Sequence, residues 1–186
     1  MLFYSLGFYL FYSIAFRKMQ ISHVRYYKVK RAQRREPPIR YLFDAVMFGF
    51  LFCAISTLNR QPVRALPMII GAFLVVVGYF VGDWAMRYLG KNYVDGVGLH
   101  NKHELVTDGP YRYVRHPLYV SIAISYVGLS IFSWNAYLAM SLLSSMFVFL
   151  FRALGEDHLL RQRLPDQYNR YFATTGMLIP RIRMRG

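Results

Sequence analysis

Sixteen residues without a charge open the sequence, MLFYSLGFYLFYSIAF, and comparable apolar runs recur at 41–59, 66–83, 117–132 and 136–151. Runs of this kind constrain the fold more than any other feature. At 1.5 Å per residue, helices of about 16–19 residues span roughly 24–29 Å, close to the ~30 Å hydrocarbon core of a bilayer. Flanking Tyr, Trp and Arg side chains can cover the remaining mismatch at the interface. Residues 1–16 have no leading Lys or Arg and no small-residue cleavage pattern, so they read as a membrane helix rather than a secretory signal. The expectation is all-α: a polytopic membrane protein of about five transmembrane helices, forming one domain over residues 1–186.

The charge has a topological explanation. The chain is 55% hydrophobic and 18% aromatic, yet carries 23 Lys+Arg against 9 Asp+Glu, a net +14. Hydrophobicity this high excludes a disordered basic tail. Nine basic residues lie in 17–40, five in 84–116 and seven from Arg152 onward, whereas the loop at 60–65 has only Arg60 and Arg64 and the turn 133–135 has none. Alternate sides therefore carry 21 and 2 basic residues. The positive-inside rule then puts the N-terminus outside, and both long basic loops and the C-terminus in the cytoplasm. The charge faces anionic membrane lipid, and no nucleic-acid partner is expected. A single cysteine, Cys53, excludes an intrachain disulfide framework and any Cys-cluster metal site.

Two features concern packing. Gly71, Gly78 and Gly82 share one stripe of the third run, with a GxxxG match at 78–82, which predicts close approach of a neighbouring helix within the chain. Asp44, in the second run, sits one turn from Arg40 and reads as half of a local ion pair. No feature assigns an oligomeric state.

The polar residues that topology does not explain fall in two clusters. The first is HELVTDGPYRYVRHPLY, 103–119, in which Asp108-Gly109-Pro110 is a turn signal and Pro117 takes a favoured first-turn position. The second, Arg152 to Asp157, places Arg152 and Glu156 four apart on one helix face. Since the fourth and fifth runs are joined by a three-residue turn, the start of one and the end of the other converge at the cytoplasmic surface. Plainer roles compete. Arg152 with Glu156 could be a surface pair, and Arg115-His116 could cap a helix and bind lipid phosphate. Tyr168 and Tyr171 could form an aromatic belt as readily as a site. His100-x-x-His103 lacks a third ligand, so no metal is expected.

GPYRYVRHPLY, followed about 40 residues later by E-D-x-L-L-x(7)-Y-x-x-Y and a terminal LIP, resembles the isoprenylcysteine carboxyl methyltransferase family, relatives of small membrane phospholipid methyltransferases. The similarity runs from about Met86 through Pro180 and includes LGKNY at 89–93. Position 157 is often Glu in that family and is Asp here, and Leu164-Pro165 replaces the usual Phe-Gly. The resemblance implies S-adenosylmethionine as cofactor, in a cytoplasm-facing pocket at the last two membrane helices. By the same correspondence His103, Glu104, Leu105, Val106, Tyr111, His116, Pro117, Leu118, Tyr119 and Glu156 would contact it. Arg152 would hold the carboxylate of a prenylated or similarly lipophilic substrate, and Arg152 and Glu156 would be the catalytic pair. Backbone groups around 103–106 suit adenine, Tyr111 and Tyr119 suit flat or apolar faces, His116 could donate to the cofactor carboxylate, and Glu156 suits its ammonium or a ribose hydroxyl. The implied reaction is carboxyl O-methylation of an isoprenylcysteine or lipid-like acceptor. A phospholipid amine N-methyltransferase and a non-enzymatic lipid-binding scaffold are the alternatives.

Overall fold

The computed structural model describes residues 64–93 and 104–181. The first two expected spans, the basic stretch 17–40, the Arg40–Asp44 pair, His100 and the expected cofactor contact His103 lie outside the described residues. Within them the chain is helical: α1 (Ala65–Leu89), α2 (Pro117–Ser133), α3 (Ala136–Arg163) and α4 (Pro165–Thr174), with single 3-10 turns at Gly90–Asn92 and Gly109–Arg112. The sole strand-like pairing among these residues is a parallel bridge between Val114 and Gly176.

The third, fourth and fifth expected spans correspond to α1, α2 and α3. α1 and α3 run well past their expected ends, and α2 ends within one residue of its own. α1 continues from Asp83 to Leu89 because Arg87 pairs with Asp83 one turn earlier, at 2.7 Å, and it stops at Gly90, whose φ of 54° only glycine adopts readily. α3 continues twelve residues past Phe151. A 28-residue helix is about 42 Å long, well beyond the ~30 Å apolar core. Within that length the apolar part is 136–151, and the charged stretch 152–163 lies beyond it. α1 and α3 are both long and apolar enough to cross a membrane; α2, at 17 residues, is a shorter apolar helix.

Glycines set the distance between α1 and α2. A Cβ on Gly71 would lie 2.5 Å from the Gly128 carbonyl oxygen and 2.5 Å from the Phe132 nitrogen, while one on Gly78 would meet Ser121 and Ser125. Gly71 and Gly78 thus pack within the chain, as their spacing predicts. Ser121 and Ser125 are fully buried in this seam, and their hydroxyls donate to the carbonyls of Leu118 (2.7 Å) and Ser121 (2.9 Å), so no polar group faces the apolar contact unpaired. The opposite face of α1 presents Ile69, Phe73 and Phe80 outward.

The turn from α2 to α3 is tight. Trp134 takes a left-handed conformation (φ 48°), and its N–H donates to the Ser130 and Ile131 carbonyls, closing the end of α2. The Asn135 side chain accepts the Leu138 N–H at 3.1 Å, capping α3. The start of α2 and the far end of α3 consequently lie side by side. Beyond α3, Pro165 occupies the first turn of α4, a helix absent from the sequence reading, and the chain then returns as 175–177 along 114–116.

Candidate functional site

Where α2 begins, residues 114–116 are not helical, and Pro117 keeps His116, at φ −124° and ψ 64°, out of the helical region. Their backbone is tied to the returning segment: the Arg115 N–H donates to the Gly176 carbonyl at 2.8 Å and the His116 N–H to that of Met177 at 3.1 Å. This arrangement aims both side chains at α3. Arg115 Nη2 donates to Asp157 Oδ2 at 2.9 Å, and His116 Nε2 lies 2.7 Å from Asp157 Oδ1. The other ring nitrogen, Nδ1, lies 3.3 Å from Glu156 Oε2. The Tyr119 hydroxyl, one turn into α2, donates to Glu156 Oε1 at 2.6 Å. From α4, the Tyr168 hydroxyl donates to Asp157 Oδ1. Tyr171 donates to the Tyr111 carbonyl at 2.6 Å, fastening α4 to the 3-10 turn before α2.

Arg115 and His116 thus face two carboxylates, with Arg115, His116 and Asp157 buried. The Arg115 Nη1 donates to the Thr175 carbonyl at 2.5 Å, and its guanidinium lies 4.1 Å over the Phe172 ring, which Arg161 approaches to 3.7 Å. Burial acts to raise the Asp157 pKa, but hydrogen bonds from His116, Arg115 and Tyr168 outweigh it and lower the value to about 2. For His116, burial acts to lower the pKa; contacts with Asp157 and Glu156 overcome this and raise it. The Tyr168 pKa is raised by burial and by donation to an ionised carboxylate, and that of Tyr111 by burial and the nearby Glu156 charge, so both hydroxyls stay protonated.

The expected site residues do not all meet. His116, Tyr119 and Glu156 form one contact group, and Arg152, half-buried, lies one turn before Glu156 on α3 with its guanidinium 5.7 Å from the Phe149 ring. Tyr111 and Pro117 are buried beside this group. Leu118 instead packs against Met86 and Tyr93. Glu104 is exposed; its side chain pairs with Lys91 at 2.9 Å and its N–H donates to Asn92 Oδ1 at 3.0 Å, fixing the segment Glu104–Val106 to the 3-10 turn that follows α1. Leu105 and Val106 are half-buried. Both nitrogens of His116 face protein carboxylates, so its immediate partners are Asp157 and Glu156 rather than outward-facing groups.

The sequence reading missed the Arg115–Asp157 pair and the role of Tyr168. Tyr168 is 1% exposed and bonded to Asp157, which is core and not an aromatic belt. A signal existed for Asp157: it lies four residues after Ala153 on one helix face, and both are buried.

The profile of the phospholipid methyltransferase family (PEMT) matches residues 66–167, the stretch that holds α1, α2, α3 and the cluster between them. The nickel-cobalt-cadmium resistance protein NccN of Alcaligenes xylosoxydans xylosoxydans is 38% identical over 81 residues, covering 42% of this chain and 37% of that protein. A probable protein-S-isoprenylcysteine O-methyltransferase of Oryza sativa subsp. indica is 26% identical over 105 residues, 55% of each. The solved structure of the eukaryotic intramembrane Ras methyltransferase ICMT (isoprenylcysteine carboxyl methyltransferase) superposes with a TM-score of 0.61 at 26% identity, covering 78% of this chain and 54% of that one. The chain spans about half or less of the length of these relatives. With more than half of its residues matched by the family profile and its helices superposing on a solved relative, the chain belongs to the phospholipid methyltransferase family, which includes isoprenylcysteine carboxyl methyltransferase-like proteins.

Proposed function

We propose that this protein is an S-adenosylmethionine-dependent methyltransferase of the membrane, and that its acceptor is the carboxylate of an isoprenylcysteine or a similar lipid-like molecule. One observation carries the reading. The Tyr119 hydroxyl donates to Glu156 Oε1 and His116 Nδ1 lies 3.3 Å from Oε2, the Glu156 side chain is still a quarter exposed, and Arg152 stands one turn away on the same helix. The donor set fits the cofactor. A carboxylate gripped on both oxygens retains lone pairs for an ammonium or a ribose hydroxyl. The backbone of Glu104–Val106 offers amide and carbonyl groups to an adenine edge, and Tyr111, Pro117 and Tyr119 supply apolar and flat surface.

When bound, S-adenosylmethionine supplies an electrophilic methyl group on a sulfonium sulfur. The chain's own task is alignment. Glu156 fixes one end of the cofactor, and Arg152 presents a planar two-point donor to the acceptor carboxylate. An acceptor carboxylate is ionised at neutral pH, so no side chain has to remove a proton. A phospholipid amine would need a base. Asp157, with three partners on its carboxylate and a pKa of about 2, is unsuited to that role, and of the two neighbouring carboxylates only Glu156 is left; this favours the carboxylate acceptor. The same reading orients the Arg152–Glu156 end of α3 toward the cytoplasm, as the basic loops imply.

The test is turnover and S-adenosylhomocysteine affinity for purified wild type and Arg152→Lys, with prenylcysteine analogues and phosphatidylethanolamine as acceptors. Arg152→Lys keeps the charge but loses the fork, and misalignment of ~1 Å costs on the order of a hundredfold in rate. Prenylcysteine methylation should fall by about that factor with cofactor affinity nearly intact. Near-normal turnover removes Arg152 from the role, methylation of phosphatidylethanolamine alone shifts the acceptor to an amine, and absence of cofactor binding leaves a lipid-binding scaffold.

A further inference from the structure

We propose that Asp157 is a positioning residue: anchored by Arg115 and Tyr168, it keeps His116 doubly protonated, so that the His116 ring holds the Glu156 carboxylate in place for the cationic part of a ligand. The inference rests on the proposed cofactor role of Glu156 and adds the residues that make it effective.

His116 presents its two ring nitrogens to two different carboxylates. A neutral imidazole has one N–H and one lone pair. Here Nε2 lies 2.7 Å from an Asp157 oxygen and Nδ1 3.3 Å from a Glu156 oxygen, so a neutral ring would turn a lone pair toward a carboxylate on one side. Only the imidazolium satisfies both neighbours. The charged and titratable groups around it are Arg115 and Tyr119 on its own segment, Tyr119 stacked at 5.7 Å, with Glu156 and Asp157 from α3. Tyr168 from α4 reaches it through Asp157, and Arg152 stands one turn before Glu156. Asp157 makes the shorter contact, and Arg115 and Tyr168 both donate to its carboxylate, favouring its ionised form. Glu156 in turn accepts from the Tyr119 hydroxyl on Oε1 and has His116 Nδ1 3.3 Å from Oε2. Asp157 touches neither ligand nor reacting atoms; it acts through His116.

A purely structural Asp157 and a positioning Asp157 differ in how the site depends on pH. In Asp157→Asn the shape is kept and the charge is lost, so buried His116 becomes neutral more easily and releases Glu156. The S-adenosylhomocysteine affinity of wild type should be flat between about pH 6 and 7.5, across the ordinary histidine range. In Asp157→Asn it should weaken at least tenfold at the upper pH and largely recover at the lower one. Equal weakening at both, or none, overturns the proposal. Because Asp157→Asn leaves Arg115 buried beside an uncharged partner and can fail to fold, wild type supplies a second measurement. In a protein labelled with 15N-histidine, with His116 identified by its loss in His116→Gln, the ring should carry protons on both nitrogens at a pH where the other histidines are neutral. Titration of His116 together with those histidines also overturns the proposal. Should wild type bind no S-adenosylhomocysteine at all, the cofactor reading fails, and the His116 titration still decides whether Asp157 sets its protonation.

Discussion

Replacing Gly71 by Ala tests the seam on which the site is built. The added Cβ would sit 2.5 Å from both the Gly128 oxygen and the Phe132 nitrogen, about 0.9 Å inside the 3.4 Å at which ordinary contact begins. Both obstacles are backbone, so no rotamer change relieves them, and α1 must move away from α2. Two effects oppose each other. Alanine favours a helix interior over glycine by about 1 kcal/mol. Overpacking costs about 1–3 kcal/mol, and a gap of 0.5–1 Å forfeits a quarter to a half of the dispersion energy of the contacts it opens. The steric cost wins, because the clash involves two backbone atoms and the displaced seam includes Val75, Leu129 and Phe132. A net loss of about 2 kcal/mol corresponds to a fall of roughly 4–8 °C in Tm for a chain of this size. Thermal unfolding in detergent, with Phe73→Leu on the outward face as control, measures it. A Tm for Gly71→Ala within a degree of wild type would refute the close approach of the two helices.

Two further outcomes are expected. Asp157 has a folded pKa of about 2 against an ordinary 3.8, so its contribution is full above about pH 5 and is lost as pH falls from about 4 through 2; it amounts to about 2 kcal/mol. Thermal unfolding at about pH 5 and pH 3 should show acid destabilisation in wild type and a weaker effect in Asp157→Asn, and equal acid sensitivity would refute the assignment. In a Cys53→Ala background, an impermeant thiol reagent applied to intact cells should label Tyr137→Cys, beside the α2–α3 turn, and not Arg112→Cys, in the basic loop. The reverse pattern would invert the orientation and remove the site from the cytoplasm.

Much of the fold was legible because apolar runs and punctuation are local properties. Pro117, the 133–135 turn and the glycine stripe each act within a few residues, and each appears where its spacing predicts. The meeting of His116 with Glu156 was legible too, since a short hairpin turn leaves little choice about which ends meet. The extent of α3 was not. Charges at 152–163 mark the end of an apolar run, yet Arg, Glu, Leu and Gln are good helix formers, and nothing before Leu164 stops the helix. The division of labour between Glu156 and Asp157 was equally hidden. Consecutive helical residues point about 100° apart, so one faces the half-open site and the other the buried Arg115, and only the packing of α4 against α3 determines which. The burial of Tyr168 follows from that same packing.

The pairings that close the site also impose a timetable on synthesis. His116 lies 41 residues before its partner Asp157, and Arg115 lies 60 residues before the Thr175 carbonyl it donates to. At roughly 5–20 residues per second, several seconds separate the appearance of Arg115 and His116 from that of the groups that pair with them. Throughout that interval Arg115 and His116 must remain hydrated, because an unpaired charge is costly to bury. A nascent chain released before Asp157 therefore leaves the Arg115 guanidinium without its carboxylate, whereas a chain that includes Asp157 buries it. Burial of Arg115 thus reports that translation has passed the last residues of the site.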